Sequence, residues 1–405
     1  MLDVRLSRSS LVLGFLLGVA GTLVLQRGIR DADAGKPKQG PLERDAFHAT
    51  LDVVLDRYVE PVDTPEVMAR GLKHMVGGLD PYSHYLTAAE RAQAQKLRNQ
   101  GAEAGLVTSL KLAGDGEGRL EITGVHPGSP AAKLGLAAGD RILSIRGRAS
   151  ARMLSNVDAQ LLLGGSPGER IELVLERGAG PETVQLELAK PDAKALVEAE
   201  LLPAEQGKQL ARIAIHGFRP GTGEQVKQAL AKLRQGHQPL AGLILDLRGN
   251  PGGEVSEAVL VADLFVQEGV LTRTRGRGGV ILREELATAA GTDSETPLVV
   301  LQDRRSASAA ELLAVALQDH GRATVIGERS YGKGTVQELI TIPDGSVLSL
   351  TIARYFSPHD RLIDGHGVDP DVRLREVDQA TAVTAAAREL VAQIASGQAG
   401  GASGR

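Results

Sequence analysis

The spacing of apolar residues changes along the chain. Between residues 42 and 100 it follows the helical period, in segments such as RDAFHATLDVVLDRYV and TPEVMARGLKHMVGGL. Between residues 101 and 191, short runs such as DRILSI and RIELVLER stand between turns rich in glycine and proline, which is typical of β-strands. These stretches predict a helical region followed by a small β-rich domain.

Strands and helices alternate in the next part of the chain, up to residue 374. The segments ARIAIHGF, LAGLILDL, PLVVLQD and ATVIG predict strands, and GEQVKQALAKLRQ, EVSEAVLVADLFVQ and SAAELLAVALQDH predict helices between them. This order is typical of parallel strands joined by helical crossovers, so we expect an α/β layer over residues 192–374. Residues 375–405 predict a C-terminal helix and a tail of disordered composition.

The first 41 residues predict an export signal and a linker. Arg5 and Arg8 precede an uncharged apolar run, Leu11–Leu25, whose length lies between a secretory core and a full membrane span. The alternative is a buried core helix, which the terminal position and the flanking arginines disfavour. We expect a periplasmic or cell-envelope protein, with residues 9–26 either cleaved or kept as an inner-membrane anchor.

Composition excludes several classes of function. The 405 residues contain no cysteine, which rules out disulfides, thiolate nucleophiles and cysteine-ligated zinc. The formal net charge of -4 and the aromatic content of 2% give no support for a nucleic-acid partner.

One segment, GERSYGKGTVQ, comes close to a phosphate-binding loop. Gly327, Gly332 and Lys333 fit the G-x-x-x-x-G-K pattern, but Gly334 stands where a Mg²⁺-binding serine or threonine is required. The following TVQELITI predicts a strand, whereas such a loop should open a helix. A nucleotide site is therefore the weaker interpretation. A buried, neutral lysine can instead act as a general base beside a serine.

Two serines lie where such a base could use them. Ser306 and Ser308 fall at a strand-to-helix turn in DRRSASAAELLAVALQ. The structural alternative is a capping box between Ser308 and Glu311, just before an apolar helical run. The same position leaves the backbone N–H of Ala309 free to bind an oxyanion.

A second set of backbone donors is predicted in LILDLRGNPGGEVSEAV. Here a buried strand ends in a turn whose glycines, Gly252 and Gly253, have no side chain to block a substrate. An ordinary strand–turn–helix connection is the alternative.

These motifs together resemble the carboxyl-terminal processing proteases, the tail-specific serine peptidases of family S41. The resemblance covers residues 42–374 and rests on six segments in the family's order: DPYSHYL, PGSPAAKLGLAAGDRILSIRG, LILDLRGNPGG, SASAAELLAVALQD, SYGKGTVQ and ARYFSPHDRLIDGHGVDPDVRL. It implies a multi-domain α/β (α+β) fold, with a ClpP/crotonase-like protease core, an inserted PDZ domain and an N-terminal helical region.

The resemblance also implies a catalytic set. The second serine of SAS, Ser308, is the expected nucleophile, the lysine of GKG, Lys333, is the expected general base, and Gln337 is expected to orient that lysine. If this segment is a strand, Lys333 and Gln337 lie on one face because they are four residues apart. The expected oxyanion hole is formed by the backbone of Gly252, Gly253 and Ala309. No metal or other cofactor is implied, and His320, His359 and His366 are expected to be structural.

The middle domain is expected to bind the substrate's C-terminus. PDZ domains add an extended peptide to a sheet edge and capture its carboxylate with backbone N–H groups. The candidates for that loop are Gly105, Leu106 and Val107, in AGLVTSL. The expected partners are protein substrates, an activating adaptor and a second copy in a homodimer or higher oligomer. A catalytically silent PDZ scaffold of the cell envelope is the alternative function.

Overall fold

The computed structural model divides the chain into two compact units. One contains the described residues within Val24–Pro191 together with Glu338–Leu350, and the other contains Asp192–Gln337 and the described part of Thr351–Arg405. The structure describes residues 41–396 apart from short segments at 113–117, 126–128, 138, 154–155, 178–179, 191–195, 204–207, 236–239, 289–291 and 375–378. The predicted export signal lies outside the described residues.

The unit that contains the N-terminal half has five α-helices and nine strands among its described residues, besides a 3₁₀ turn at Ser150–Arg152. The helices are α1 Pro41–Arg57, α2 Thr64–Gly77, α3 Ala88–Gln100, α4 Pro130–Lys133 and α5 Asn156–Leu163. The strands are β1 His84–Leu86, β2 Ala102–Glu103, β3 Leu106–Leu112, β4 Gly118–Val125, β5 Arg141–Ile145, β6 Arg148–Ala149, β7 Gly164–Gly165, β8 Arg170–Arg177 and β9 Gly180–Glu187.

An antiparallel sheet forms the β-rich part of this unit. Its order is β3-β4-β5-β8-β9, with β6 paired to β5, so that β3 is an edge strand. In β8, Ile171, Leu173 and Leu175 are buried while Arg170 and Glu172 are exposed, as the alternation in RIELVLER predicts. Helix α5 packs beside the edge strand β3.

The other unit carries the alternating strands and helices. Its strands are β10 Val197–Leu201, β11 Leu210–Ile215, β12 Gly242–Asp246, β13 Val270–Gly276, β14 Ile281–Leu286, β15 Leu298–Gln302, β16 Thr324–Gly327, β17 Thr335–Thr341, β18 Val347–Phe356 and β19 Val372–Arg373. Its helices are α6 Thr222–Arg234, α7 Val255–Asp263, α8 Ala309–Asp319 and α9 Gln379–Ser396, besides a 3₁₀ turn at Arg277–Gly279. The tip of the β17–β18 hairpin, Glu338–Leu350, belongs to the first unit.

A mostly parallel sheet carries this layer, in the order β10-β11-β12-β15-β16-β19. All five residues of β12 and all five of β15 are buried, because helices cover both faces: α7 and α8 share one hydrophobic cluster with the sheet and α9 shares the other. The carboxyl ends of β12 and β15 lie next to each other, since Asp246 pairs with Leu301. Ligand sites in open α/β sheets form at such ends.

Strand β18 is shared by several neighbours. Its beginning pairs with β1, its end pairs with β13, and β17 pairs with it as well. The predicted strand TVQELITI is therefore confirmed as β17. None of the helices in the described ranges combines the length and the apolar character that crossing a bilayer requires.

Candidate active site

Ser308 stands in a strained conformation at the start of α8. Its backbone has φ 56° and ψ -119°, a region that residues with a side chain rarely adopt, and the residue is 2% exposed. Strain of this kind persists only where surrounding contacts enforce it, and it is concentrated at functional sites.

The turn that leads into α8 holds the backbone of Ser308 in this strained conformation.

Hydrogen bonds fasten that turn to the end of β12. The hydroxyl of Ser306 donates to the carbonyl oxygen of Leu247 at 2.8 Å and accepts the N–H of Asp303 at 3.0 Å. The N–H of Ala307 donates to the carbonyl oxygen of Asn250 at 2.9 Å. Ser306, the other candidate serine, is thus engaged in holding the turn.

Gly252 lies directly against Ser308. A Cβ atom added to Gly252, whose φ is 97°, would stand 2.8 Å from the Cβ of Ser308 and 2.7 Å from the carbonyl oxygen of Ala307. Its N–H donates to Oδ1 of Asn250 at 2.8 Å, which differs from the expectation that this group is free. What Gly252 supplies is open space beside the serine.

Gly253 presents its backbone differently. Phe218 donates its N–H to the carbonyl oxygen of Gly252 and accepts the N–H of Glu254, both at 2.9 Å. The N–H and the carbonyl group of Gly253 itself therefore point away from Phe218. No described residue accepts this N–H. Ala309 is the first residue of α8, so its N–H has no acceptor within the helix.

Lys333 is buried in the loop between β16 and β17, with 7% of its surface exposed. Burial lowers the pKa of its ammonium from 10.5 to about 8, although the charge of Glu311 acts in the opposite direction. Roughly a tenth of such a lysine is neutral at pH 7. Because a strand follows Lys333 rather than a helix, the local fold does not match a phosphate-binding loop.

The carboxylate of Glu311 connects the two candidate catalytic segments. Its Oε2 accepts the N–H groups of Ser308 and Lys333, each at 2.8 Å. Its Oε1 accepts the hydroxyl of Ser330 at 2.5 Å and the N–H of Gly332 at 2.6 Å. One fully buried side chain thereby binds the backbone of both segments.

Sequence reasoning assigned Glu311 only to a helix cap. Burial raises the pKa of its carboxyl group, and the four hydrogen bonds act in the opposite direction. The sequence signal for the wider role was the capping box itself, which places a carboxylate within reach of the serine. The lysine loop that completes the network is brought there by the fold.

Gln337 lies in β17 and is 4% exposed. Its Nε2 donates to the hydroxyl oxygens of Thr335 at 2.8 Å and Thr351 at 3.1 Å. Its Oε1 is buried and has no hydrogen-bond partner within the described part of the chain. Because Lys333 precedes the first residue of β17, strand alternation does not decide whether Lys333 and Gln337 share a face.

The predicted carboxylate loop leads into the edge strand β3. Gly105 has φ 73°, and a Cβ there would lie 2.1 Å from the Cβ of Ser129, so only glycine fits this approach. In the paired strands Leu106 lies opposite Val125, and the backbone of Val107 lies opposite Gly124.

The side chains of His320, His359 and His366 are not among the hydrogen-bond partners of Glu311. Nε2 of His320 lies 2.8 Å from the carbonyl oxygen of Val270, and Nδ1 of His366 lies 2.9 Å from that of Asp364. His359 has a largely exposed side chain.

Two family models match the sequence. Residues 209–374 match peptidase family S41, and residues 121–177 match the PDZ domain. The first range includes the strained serine, the buried lysine and the glycine turn. The second begins within β4 and includes β5, β6, β8 and helix α5, whereas β3 and β9 lie outside it.

Individual relatives agree with these matches. The chloroplastic C-terminal processing peptidase of Tetradesmus obliquus is 34% identical over 334 residues, which cover 78% of this chain and 69% of the relative. The carboxy-terminal-processing protease of Bartonella bacilliformis is 30% identical, with 80% and 74% covered.

A solved structure extends the agreement to the fold. The photosystem II D1 C-terminal processing protease superposes with a TM-score of 0.67 at 32% sequence identity, covering 81% of this chain and 86% of that protein. Since a relative 34% identical in sequence is covered over 69% of its length and residues 209–374 match peptidase family S41, the chain belongs to the carboxyl-terminal processing proteases of this family and is a serine-type peptidase.

Proposed function

We propose that this peptidase recognises the free C-terminus of a protein and cleaves the chain near it, with Ser308 and Lys333 as a catalytic dyad. The observation that carries the proposal is the Glu311 carboxylate, which binds the backbone N–H groups of both residues. A buried lysine with a pKa of about 8 suits a general base near neutral pH.

The reaction is acyl transfer in two steps. The hydroxyl oxygen of Ser308 attacks the scissile carbonyl carbon while the neutral amine of Lys333 takes the hydroxyl proton. The resulting ammonium gives this proton to the leaving amine as the peptide C–N bond breaks, which leaves an acyl-enzyme. Water then attacks the ester carbonyl carbon while Lys333 takes one of its protons. The ester C–O bond breaks, the Lys333 ammonium returns that proton to the oxygen of Ser308, and the product leaves as a carboxylic acid that ionises to a new C-terminal carboxylate.

Backbone donors stabilise the oxyanion in this proposal. The N–H groups of Gly253 and Ala309 carry that role, and Gly252 keeps the approach to Ser308 open. For Gln337, the buried Oε1 is an acceptor that a Lys333 ammonium can use, which supports its role in orienting the base.

Tail recognition is assigned to the domain formed by residues 101–191. The edge strand β3 offers backbone groups to an extended peptide, and the loop at Gly105 precedes it, as PDZ recognition requires. Residues 42–100 form the helical region, residues 192–374 the protease core, and residues 375–405 the C-terminal helix and tail. The last residue of a preferred substrate is apolar in this proposal.

Location and assembly rest on the N-terminal part of the chain. The apolar run Leu11–Leu25 with its flanking arginines supports export to the periplasm or cell envelope, with an anchor if the run is retained. Apolar side chains exposed on the N-terminal helices, such as Phe47 at 50% and Met75 at 58%, support a homodimer or higher oligomer. An activating adaptor remains part of the proposal.

The experiment compares the full chain with Ser308→Ala and Lys333→Ala. Each is incubated with a loosely folded reporter that ends in an apolar tail or in a charged tail. We expect degradation by wild type alone, and faster with the apolar tail. Cleavage that persists in Lys333→Ala would exclude the dyad mechanism.

Covalent labelling separates an enzyme from a scaffold. A fluorophosphonate should label wild type and fail to label Ser308→Ala. Tail binding without labelling or cleavage would instead favour the catalytically silent scaffold.

A further inference from the structure

The proposed tail-binding groove has two walls. One is the edge strand β3, and the other is helix α5, which packs beside it and also contacts α3 and β5. A peptide added to β3 must fit between its backbone and this helix. The position of α5 therefore sets the width of the groove.

A buried lysine of the N-terminal helices reaches α5. Nζ of Lys73, in α2, lies 3.0 Å from Oδ1 of Asp158 in the first turn of α5. The same ammonium lies 2.5 Å from Oε1 of Glu90 in α3. The side chains of Lys73 and Asp158 are 8% and 1% exposed, so this ion pair is withdrawn from solvent.

This arrangement fixes geometry more than it adds stability. Burial disfavours the ammonium of Lys73, but the hydrogen bonds and charges of Glu90 and Asp158 offset that cost and leave its pKa above the ordinary value. Buried ion pairs contribute little net stability because desolvation cancels much of their attraction. Their directional contacts nevertheless hold the elements that carry them in one arrangement.

Glu90 is itself held in place on α3. Its Oε2 accepts the N–H and the hydroxyl of Thr87, both at 3.0 Å, in a capping box. The next residue, Arg91, donates to the carbonyl oxygen of Gly345 in the β17–β18 turn at 3.2 Å. Lys73 therefore joins α5 to a helix that is anchored at both its cap and its side.

We propose that Lys73 is a positioning residue for tail recognition: through Asp158 it holds α5 at the distance from β3 that admits an extended C-terminal tail. This inference rests on the tail recognition proposed above and adds the residue that fixes the width of the groove. Substrates without a suitable tail do not use this groove, so their hydrolysis does not depend on Lys73.

The test uses the full chain as wild type, Lys73→Met and Lys73→Arg. Arg70→Met is the matched control, because it removes an exposed cation from the same helix. Affinity for a fluorescent apolar-tailed peptide is measured by anisotropy, and kcat and KM are measured for the apolar-tailed reporter. We expect Lys73→Met to weaken peptide binding and raise KM by about tenfold, with kcat changed by less than about twofold. Lys73→Arg and Arg70→Met should stay close to wild type.

A second variant separates positioning from folding. Lys73→Met removes the cation beside the buried carboxylate of Asp158, so the double variant Lys73→Met/Asp158→Asn is measured beside it. The proposal predicts that the double variant is labelled by fluorophosphonate at Ser308 like wild type but still binds the tail weakly. Full recovery of tail affinity in the double variant would overturn the proposal. The loss in Lys73→Met would then come only from the buried charge of Asp158 without the Lys73 cation beside it.

The remaining outcomes distinguish a failure of this inference from a failure of the proposed tail recognition. If wild type binds the tailed peptide and Lys73→Met binds it equally well, the role of Lys73 is wrong and tail recognition stands. If wild type is labelled at Ser308 but does not bind the peptide, tail recognition fails and this inference fails with it.

Discussion

Lys333 determines how the proposed reaction depends on pH. Only the neutral amine can take the proton of Ser308, and burial brings the pKa of the lysine down to about 8. We therefore expect kcat/KM for the apolar-tailed reporter to rise about tenfold per pH unit below that value and to level off above it. Measurement between pH 6 and 9.5 checks this, and a flat profile would contradict a lysine base.

Lys333 also makes the free energy of unfolding depend on pH, in a direction that follows from its pKa. Its pKa in the folded chain, about 8, lies below the ordinary value of 10.5, so between these values the unfolded chain binds more protons. The free energy of unfolding should therefore rise with pH across this window, and the penalty is fully present below it. Lys333→Met should be more stable than wild type at pH 7 by on the order of 3 kcal/mol, and the gap should narrow by pH 10. Urea denaturation at both pH values measures this; an equal gap would contradict it.

Glu311 can be tested through its effect on both neighbours. In Glu311→Gln the amide cannot accept all four hydrogen bonds, and its NH₂ group would face donors. We expect labelling of Ser308 to slow by on the order of a hundredfold. Because the charge of Glu311 raises the pKa of Lys333, the midpoint of the pH profile should move below that of wild type.

The control for Glu311→Gln is a second buried carboxylate in the same unit. Glu257 is also a buried carboxylate that accepts two backbone N–H groups, from Gly221 and Gly223 at the start of α6. Glu257→Gln should destabilise the chain without moving the pH midpoint. An equal shift in both variants would show that the effect of Glu311 is not local.

At the scale of elements, the turn after β12 must admit the turn before α8. Gly252→Ala would place a methyl group 2.8 Å from the Cβ of Ser308, whereas Gly249→Ala adds one whose nearest neighbour is 3.7 Å away. Both glycines have positive φ, 97° at Gly252 and 68° at Gly249, so both variants carry backbone strain. We expect Gly252→Ala to lower kcat by at least about a hundredfold and Gly249→Ala to retain most activity. Similar losses in steady-state assays of both would attribute the effect to strain alone.

The elements themselves could be predicted from local patterns, and the contacts between them could not. Continuous apolar runs such as LILDL are typical of buried parallel strands, and β12 is one. In contrast, the bond from Gly252 to Asn250, and the position of Lys333 before β17 rather than within it, depend on loop geometry. The role of Glu311 was hidden for a further reason: its four donors lie in segments that only the folded chain brings together.

At the scale of the whole molecule, the hydrophobic cores are separate. One cluster, which includes Leu173, lies wholly within the unit of the antiparallel sheet, and the cluster that includes Leu245 lies wholly within the other unit. Each core can therefore lose its packing by itself, so we expect two unfolding transitions in calorimetry rather than one. Leu173→Ala should destabilise only one of them, by about 2–5 kcal/mol, because it removes a fully buried side chain. Leu245→Ala should shift only the other, which is the transition that abolishes labelling of Ser308. A single transition shifted equally by both variants would show that the two cores unfold as one cooperative unit.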